Sequence, residues 1–286
     1  MRCALLACLL VACYHPNRLD CSVSCANGAS CPDGLTCGAT DQLCHSGSRE
    51  CTAIDAVDAG DDAPSNPPDD ASFDGPPPVF CSPALRNLVA CYELDGTTDD
   101  SSPNHLNAAT ASIAFQPGRA GLALAVDMTS RVRIMETTLL DLEQFTVEAW
   151  IDQLASTNGS NVTVVNNPLQ YGMFVDTVNE PTCAYFAPSL VVAPATTKLQ
   201  PNQWTHLACT YDGVRLTLYI NGAVAAQNAE GGMVSKTASG GTGIGSDAIN
   251  VDPANHFVGL VDGVRIFSAA RTAAEICADA DRTDCR

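Results

Sequence analysis

Fifteen cysteines and five histidines are the side chains of this 286-residue sequence best suited to bridging, binding metal or attacking a substrate. The odd cysteine count leaves at least one thiol that needs a fate other than an internal bridge. The histidines are scattered and form no metal or nucleophile cluster, and His206 sits inside the apolar run "WTHLACTY", where a structural role fits. No Gly-x-Ser-x-Gly elbow occurs. The glycine-rich "GGTGIGSD" (240–247) is followed by no helical pattern, so it reads as a turn entering a strand and not as a phosphate cradle. Two groups of carboxylates stand out, Glu93 with Asp95 and Glu148 with Asp152, the latter spaced to share one face of a strand. Glu148 is expected there as a solvated or hydrogen-bonded outer-face residue. The loop "LDGTTDDSSPNH" (94–105) brings Asp95, Asp99, Asp100 and Asn104 together. These are the donor types calcium takes, in shells of roughly six to eight oxygens. The same residues are ordinary turn formers, and Asp99 would equally close an Asx-turn.

The N-terminal run from Cys3 to Ala12 follows a single arginine, Arg2, and is about half the roughly 20 residues a membrane-spanning helix needs. It reads as the apolar part of an export signal. Leu10-Val11-Ala12-Cys13 is similar to the bacterial lipobox, in which the cysteine receives diacylglycerol before the signal is removed. Cleavage before Cys13 would carry off Cys3 and Cys8 and lipidate Cys13. The rest then divide into six at 21, 25, 31, 37, 44 and 51 and six at 81, 91, 183, 209, 277 and 285. Every remaining thiol can then pair. A plain secretory signal cut nearby is the alternative, and it leaves one spare thiol. Both routes lead to an oxidising compartment where disulfides persist.

Charge locates the boundaries. Of the net −18, residues 1–12 contribute +1, residues 13–51 contribute −2, residues 52–80 contribute −7 and residues 81–286 contribute −10. The sole lysines are Lys198 and Lys236. Such a chain has no basic face for phosphates, so nucleic acid is not expected as a partner. Anionic lipid head groups would repel it as well, leaving membrane contact to the N-terminal lipid. The segment 52–80, rich in Asp, Ala and Pro, cannot bury enough apolar surface to offset its ordering entropy and is expected as a disordered spacer. If stiff and polyproline-like it would reach at most about 90 Å. Before it, Cys21, Cys25, Cys31, Cys37, Cys44 and Cys51 fall in a stretch with almost no large apolar residues, so three disulfides are expected to hold a small module (13–51). Zinc is the rival, but there is no CxxC pair and His45 stands alone.

Residues 81–286 read as one all-β unit. Runs at 88–94, 121–126, 131–135, 145–151, 162–166, 171–176, 204–211, 214–220, 223–227 and 256–267 alternate with Gly, Asn, Asp and Pro, the spacing of a β-sandwich or barrel. In Phe145–Ile151, the residues Phe145, Val147, Ala149 and Ile151 share one face. Asp212-Gly213 and Asn221-Gly222 between strand runs predict two-residue hairpin turns, hence an antiparallel meander over 204–227. Thr272 and Glu275 predict a capping box opening a short final helix.

With these elements in place, "LVACYELDGTTDDSSPNHLNA" (88–108), "FTVEAWI" (145–151), "QWTHLACTYDGVRLTLYINGAVAA" (203–226) and "FVGLVDGVRIFSAARTAAEI" (257–276) resemble, in order, the signatures of the laminin-G-like or concanavalin-A-like jelly-roll domain. The resemblance implies an antiparallel jelly-roll sandwich over 81–286. It implies a module binding carbohydrate or protein ligands, often with calcium at the sandwich edge, and in a minority of relatives a glycosidase. It adds Asp262, from a last strand running beside the first, to Asp95, Asp99, Asp100 and Asn104 as the candidate Ca2+ set. It also implies closely placed domain ends, and so a bridge from Cys81 to Cys277 or Cys285, with Cys183 to Cys209 as a second. Closing the longer loop would stabilise by up to roughly 5 kcal/mol. Hydrolases of this architecture carry Glu-x-Asp-x-x-Glu on one strand. Glu93-Leu94-Asp95 has Thr98 in the last place, and Glu148-Asp152 lacks the third acid, so neither fits. Trp150 and Trp204 are expected in the core, so no sugar platform is assigned. The expectation is a non-enzymatic binding or adhesion module on a bacterial envelope lipoprotein, or a secreted one. The alternatives are a glycoside hydrolase or degenerate relative, and a structural envelope component without ligand.

Overall fold

The computed structural model describes residues 31, 36–37, 44–45, 80–154, 161–237, 240–248 and 253–285. The chain divides into two units, Met1–Ser72 and Phe73–Arg286. In the first, strands β1 (Thr36–Cys37) and β2 (Cys44–His45) pair antiparallel, and a disulfide joins Cys31 to Cys44. Cys37 is also disulfide-bonded. The expected lipidation site Cys13, residues 52–79 of the expected spacer 52–80, and Cys21, Cys25 and Cys51 lie outside the described residues.

The second unit is an antiparallel two-sheet sandwich. One sheet holds, in spatial order, β12 (Ser189–Pro194), β11 (Pro181–Ala187), β10 (Tyr171–Val175), β9 (Val162–Asn167), β16 (Thr242–Ile244), β7 (Arg131–Ile134) and β4 (Ala109–Ala111). The other runs β15 (Ala223–Asn228), β14 (Leu216–Ile220), β13 (Thr205–Tyr211), β8 (Phe145–Gln153), β17 (Gly259–Phe267), β6 (Leu122–Val126) and β5 (Ala114–Pro117), with β3 (Leu88–Tyr92) also on β17. β17 pairs with β8 on both sides of a bulge between Asp262 and Arg265, while its other side is shared between β6 at Gly259–Val261 and β3 at Val264–Phe267. Gly263, at φ 54°, lies in the irregular stretch between those halves, and a Cβ there would lie 2.7 Å from the Phe80 ring.

Alternation explains the core. Phe145, Val147, Ala149 and Ile151 point inward and meet Leu207, Cys209, Tyr211 and the β9–β11 residues Val164, Tyr171, Met173 and Tyr185. The outer row of β8 is buried too, because α1 (Ala273–Asp279) packs Ile276 against Ala208 and Tyr219. Thr272 caps α1 in the expected capping box. Asn221 (φ 48°) and Gly222 (φ 74°) form the expected two-residue hairpin. The Asp212-Gly213 hairpin differs: Tyr211 pairs with Leu216, so four residues form the loop, and Asp212 Oδ1 accepts from Val214 N and Arg215 N. An Asx arrangement has replaced the tight turn.

The Cys183–Cys209 bridge is present and joins the two sheets through the core. The bridge from Cys81 to the C-terminal cysteines is not: Cys81 joins Cys91 and Cys277 joins Cys285. Both bridges are local, spanning ten and eight residues, so no covalent link closes the domain end to end. Among the described residues no helix is long and apolar enough to cross a membrane.

Candidate functional site

The five calcium candidates separate into two structural tasks. Asp100 is buried, and its carboxylate accepts from Cys91 N, Ser102 N, Ser102 Oγ and Leu106 N at 2.7–2.8 Å. Asn104 donates to Val89 O, and Asp99 is exposed. Asp95 and Asp262 instead hold the turn between β5 and β6. Asp95 Oδ1 accepts from Leu122 N, and Asp262 Oδ2 accepts from Arg119 N at 3.0 Å and Ala120 N at 3.3 Å. Burial, opposed by these amides and reinforced by the charge on Asp95, raises the Asp262 carboxyl above its usual range. Both oxygens of Asp100 are engaged by donors from its own loop and from Cys91 of β3. No group of three or more His, Cys, Asp or Glu among the described residues is arranged to hold a metal.

Glu148 is not solvated. It lies opposite Arg265 on β17 beneath α1, with Oε1 2.6 Å from Arg265 Nε and Oε2 3.5 Å from His206 Nε2. The Arg265 contact is an ion pair more than an aligned hydrogen bond, since neither carboxylate oxygen finds a partner at hydrogen-bonding angles. Burial opposes ionisation, but His206 and Arg265 outweigh it and hold the Glu148 carboxyl below the ordinary range. Arg265 also reaches Asp279 at 2.9 Å, and Arg271 joins Asp279 at 2.7 Å, so the network fastens α1 to the sheet. Trp150, in the same outer row, is covered by the Arg119 guanidinium at 3.7 Å from the ring centre, and Arg119 pairs with Asp281. Glu148 is sealed from any ligand, while Trp150 lines a smaller pocket of about 260 Å³ with Glu93, Asp95, Arg119 and Asp262. Trp204, expected in the core, is only half-buried.

The open cleft lies across the outer face of the other sheet, on β9–β12. It encloses about 300 Å³. Cross-strand register sets one row, Asn166–Gly172–Ala184–Val192, beside a second, Thr163–Phe174–Thr182, while Phe186 faces Leu190 on the other side. The small residues Gly172 and Ala184 form the trough. A Cβ on Gly172 would come within 2.6 Å of Phe174 Cζ, so the Phe174 ring lies down across the glycine instead of standing off the sheet. Asn166 Nδ2 donates to Asp247 Oδ2 at 3.3 Å, and Asp176 and Thr182 add oxygens at the rim. An aromatic face flanked by amide and carboxylate groups can stack on a sugar ring and hydrogen-bond its hydroxyls. Residue spacing gave no sign of this site, because Phe174 and Phe186 look like strand aromatics until the register shows them on the outer face. The detectable signal was Gly172 inside an otherwise apolar strand, which marks close approach.

Residues 127–277, more than half of the chain, match the model of the Concanavalin A-like lectin/glucanases superfamily. Mouse pappalysin-1 is 39% identical over 83 residues, which make up 28% of this chain and 5% of that protein. Domain 4 of AbnA, an extracellular arabinanase from Geobacillus stearothermophilus solved with arabinotriose, superposes with a TM-score of 0.58 at 22% identity, covering 68% of this chain and 98% of that one. The binding domain of Paraclostridial Mosquitocidal Protein 1 superposes at 0.56 with 17% identity, covering 67% of this chain and 51% of that one. These solved structures share the fold. The chain belongs to the Concanavalin A-like lectin/glucanases superfamily, as a laminin-G-type sandwich.

Proposed function

We propose that the sandwich is a non-catalytic carbohydrate-binding module whose site is the trough on β9–β12. The observation that carries this reading is the Phe174 ring laid flat over Gly172 in an open cleft flanked by Asn166, Asp176 and Asp247. The arabinotriose bound by AbnA domain 4, a sandwich of the same fold, supports a sugar ligand. A non-enzymatic role is supported by the position of Glu148, which is sealed under α1 and engaged by Arg265, away from any substrate. The trough carries Asp176 and Asp247 as its carboxylates, and the proposal assigns it no calcium. We further propose display on a bacterial envelope through lipid on Cys13, with the acidic segment 52–80 as spacer. A lipid-modified N-terminal peptide that disappears in Cys13→Ser would support that placement.

The test is a glycan array and calorimetric titration, each run with and without EDTA, on wild type, Phe174→Ala and Gly172→Ala. Losing the stacking face should cost roughly 1–3 kcal/mol, about ten- to a hundred-fold in affinity. The Gly172→Ala methyl would lift the Phe174 ring at little cost to the fold, since the neighbour it meets is the end of a flexible side chain. An array blank for neutral sugars, or wild-type affinity in both variants, would refute the reading, as would retention lost on chelation.

A further inference from the structure

Asn166 lies on β9 with a glycine opposite it on each neighbouring strand, Gly172 on β10 and Gly243 on β16. Neither offers a side chain, so the Asn166 amide takes its partners from what lies above the sheet. The two glycines do different things. A Cβ on Gly243 would collide with Ser246 O and lie 2.9 Å from Ala248 N, so the turn that follows is pressed onto the sheet there. That turn is tied down by Gly245 N donating to Val164 O and by Phe257 N donating to Gly245 O. It carries Asp247, whose Oδ2 accepts from Asn166 Nδ2 at 3.3 Å.

With its nitrogen turned to Asp247, the amide turns its oxygen to the Gly172 side. Asn166 Oδ1 lies 2.9 Å from where a Cβ on Gly172 would stand, and the edge of the Phe174 ring lies 2.6 Å from the same point. Asn166 is 8% exposed, and among the described residues no donor reaches its Oδ1. The next residue shows the contrast: Asn167 is buried, and its Nδ2 donates to Leu140 O and Gln170 Oε1. A buried amide oxygen is costly without a donor, so this one, aimed into an open cleft, calls for a donor from outside the protein. Resting on the reading of the trough as a glycan site, we infer that Asn166 is its specificity-determining residue: Oδ1 accepts a hydrogen bond from one ring hydroxyl of the sugar unit whose C–H face lies on Phe174. Both contacts meet over Gly172, so a sugar uses the two together only if it presents a hydroxyl donor at the margin of an apolar face. An ether or carboxylate oxygen at that position brings lone pairs against the amide oxygen and leaves it unpaired, which selects for an unsubstituted hydroxyl there.

The experiment is an NMR titration of the labelled full chain with the methyl glycosides of arabinose, xylose, glucose, galactose and mannose, each beside its monodeoxy and monodeoxyfluoro derivatives. Fluorine removes the donor and keeps a weak acceptor. For the glycoside that wild type binds, one position should be intolerant: its deoxy and deoxyfluoro forms alike should bind about three- to tenfold more weakly, the loss expected of one neutral hydrogen bond. The Asn166 side-chain NH2 resonance should shift with the parent glycoside and with neither derivative, a readout that needs no variant. Asn166→Ala should bind the parent at the reduced level and no longer tell it from the derivatives, a loss of coupling that a merely structural role would not produce. Equal affinity of parent and derivatives at every position in wild type, or discrimination retained in Asn166→Ala, would overturn the assignment, and the trough reading would stand if Phe174→Ala still abolished binding. A deoxyfluoro form bound as tightly as the parent at the intolerant position would overturn it as well, since the protein would then be the donor there. No shift with any glycoside would overturn the trough reading and the inference together.

Discussion

Glu148 shows what a side chain's period alone misses. Its place on the outer row of β8 follows from alternation in Phe145–Ile151, yet the row is covered by α1, and an outer-face carboxylate expected to be solvated or hydrogen-bonded is the centre of a buried charge network. Removing one member of such a pair leaves an uncompensated charge, so Glu148→Gln should destabilise by about 3–5 kcal/mol, measurable by urea unfolding. The pH dependence has a definite sign. The folded carboxyl titrates below its unfolded value of 4.5, so its contribution is complete above that pH and is lost as the pH falls through the lower folded value. Asp279, raised first by burial and then by the charge on Glu148, takes a proton earlier on acidification and leaves Arg265 to Glu148. Wild type should therefore lose stability steeply only in strong acid, with a shallower slope in Glu148→Gln. Identical acid limbs would show that the pair carries no linked proton. The calcium candidates also have structural tasks that the sequence does not display. Backbone amides engage both oxygens of Asp100 and one oxygen each of Asp95 and Asp262, and only coordinates reveal it.

Elements were legible where local chemistry was strong. Asn221-Gly222, the Thr272–Glu275 capping box and the long β8, β13 and β17 all follow from turn residues, capping pairs and apolar runs. The strands β4, β5, β11, β12 and β16 did not. β4, β5 and β12 are short edge strands or partly exposed, β11 begins with a proline, and β16 is three residues at a glycine cluster. Their pairing is long-range, set by register and not by composition. Two of the trough's four strands, β11 and β12, are among these unread strands, and the register that puts Gly172 and Phe174 of the legible β10 on the open face is long-range, which is why the site escaped while the fold did not. At this scale the Asn221-Gly222 turn has a second duty, because a Cβ on Gly222 would lie 2.8 Å from Cys277 Cα in α1. Gly222→Ala, strained at φ 74° and pressed against the helix, should cost about 1–3 kcal/mol and weaken the docking of α1. Hydrogen exchange at Ile276 and Cys277 should quicken. Unchanged exchange and unfolding midpoint would contradict that coupling.

For the molecule as a whole, acidity and architecture point the same way. A chain of net charge −18 with a sandwich of net −10 disfavours polyanions over long range, and Asp176 and Asp247 are among the residues lining its aromatic trough. The sandwich is closed by sheet packing and two local bridges plus Cys183–Cys209, so the β9–β12 face sits on a rigid scaffold suited to a preformed site. The decisive measurement is amide chemical-shift mapping of the labelled protein during titration with a neutral oligosaccharide that it retains on an array. The account predicts saturable shifts concentrated at Asn166, Gly172, Phe174 and Ala184. Shifts gathered instead around Asp95, Arg119 and Asp262, or spread without focus, would contradict it.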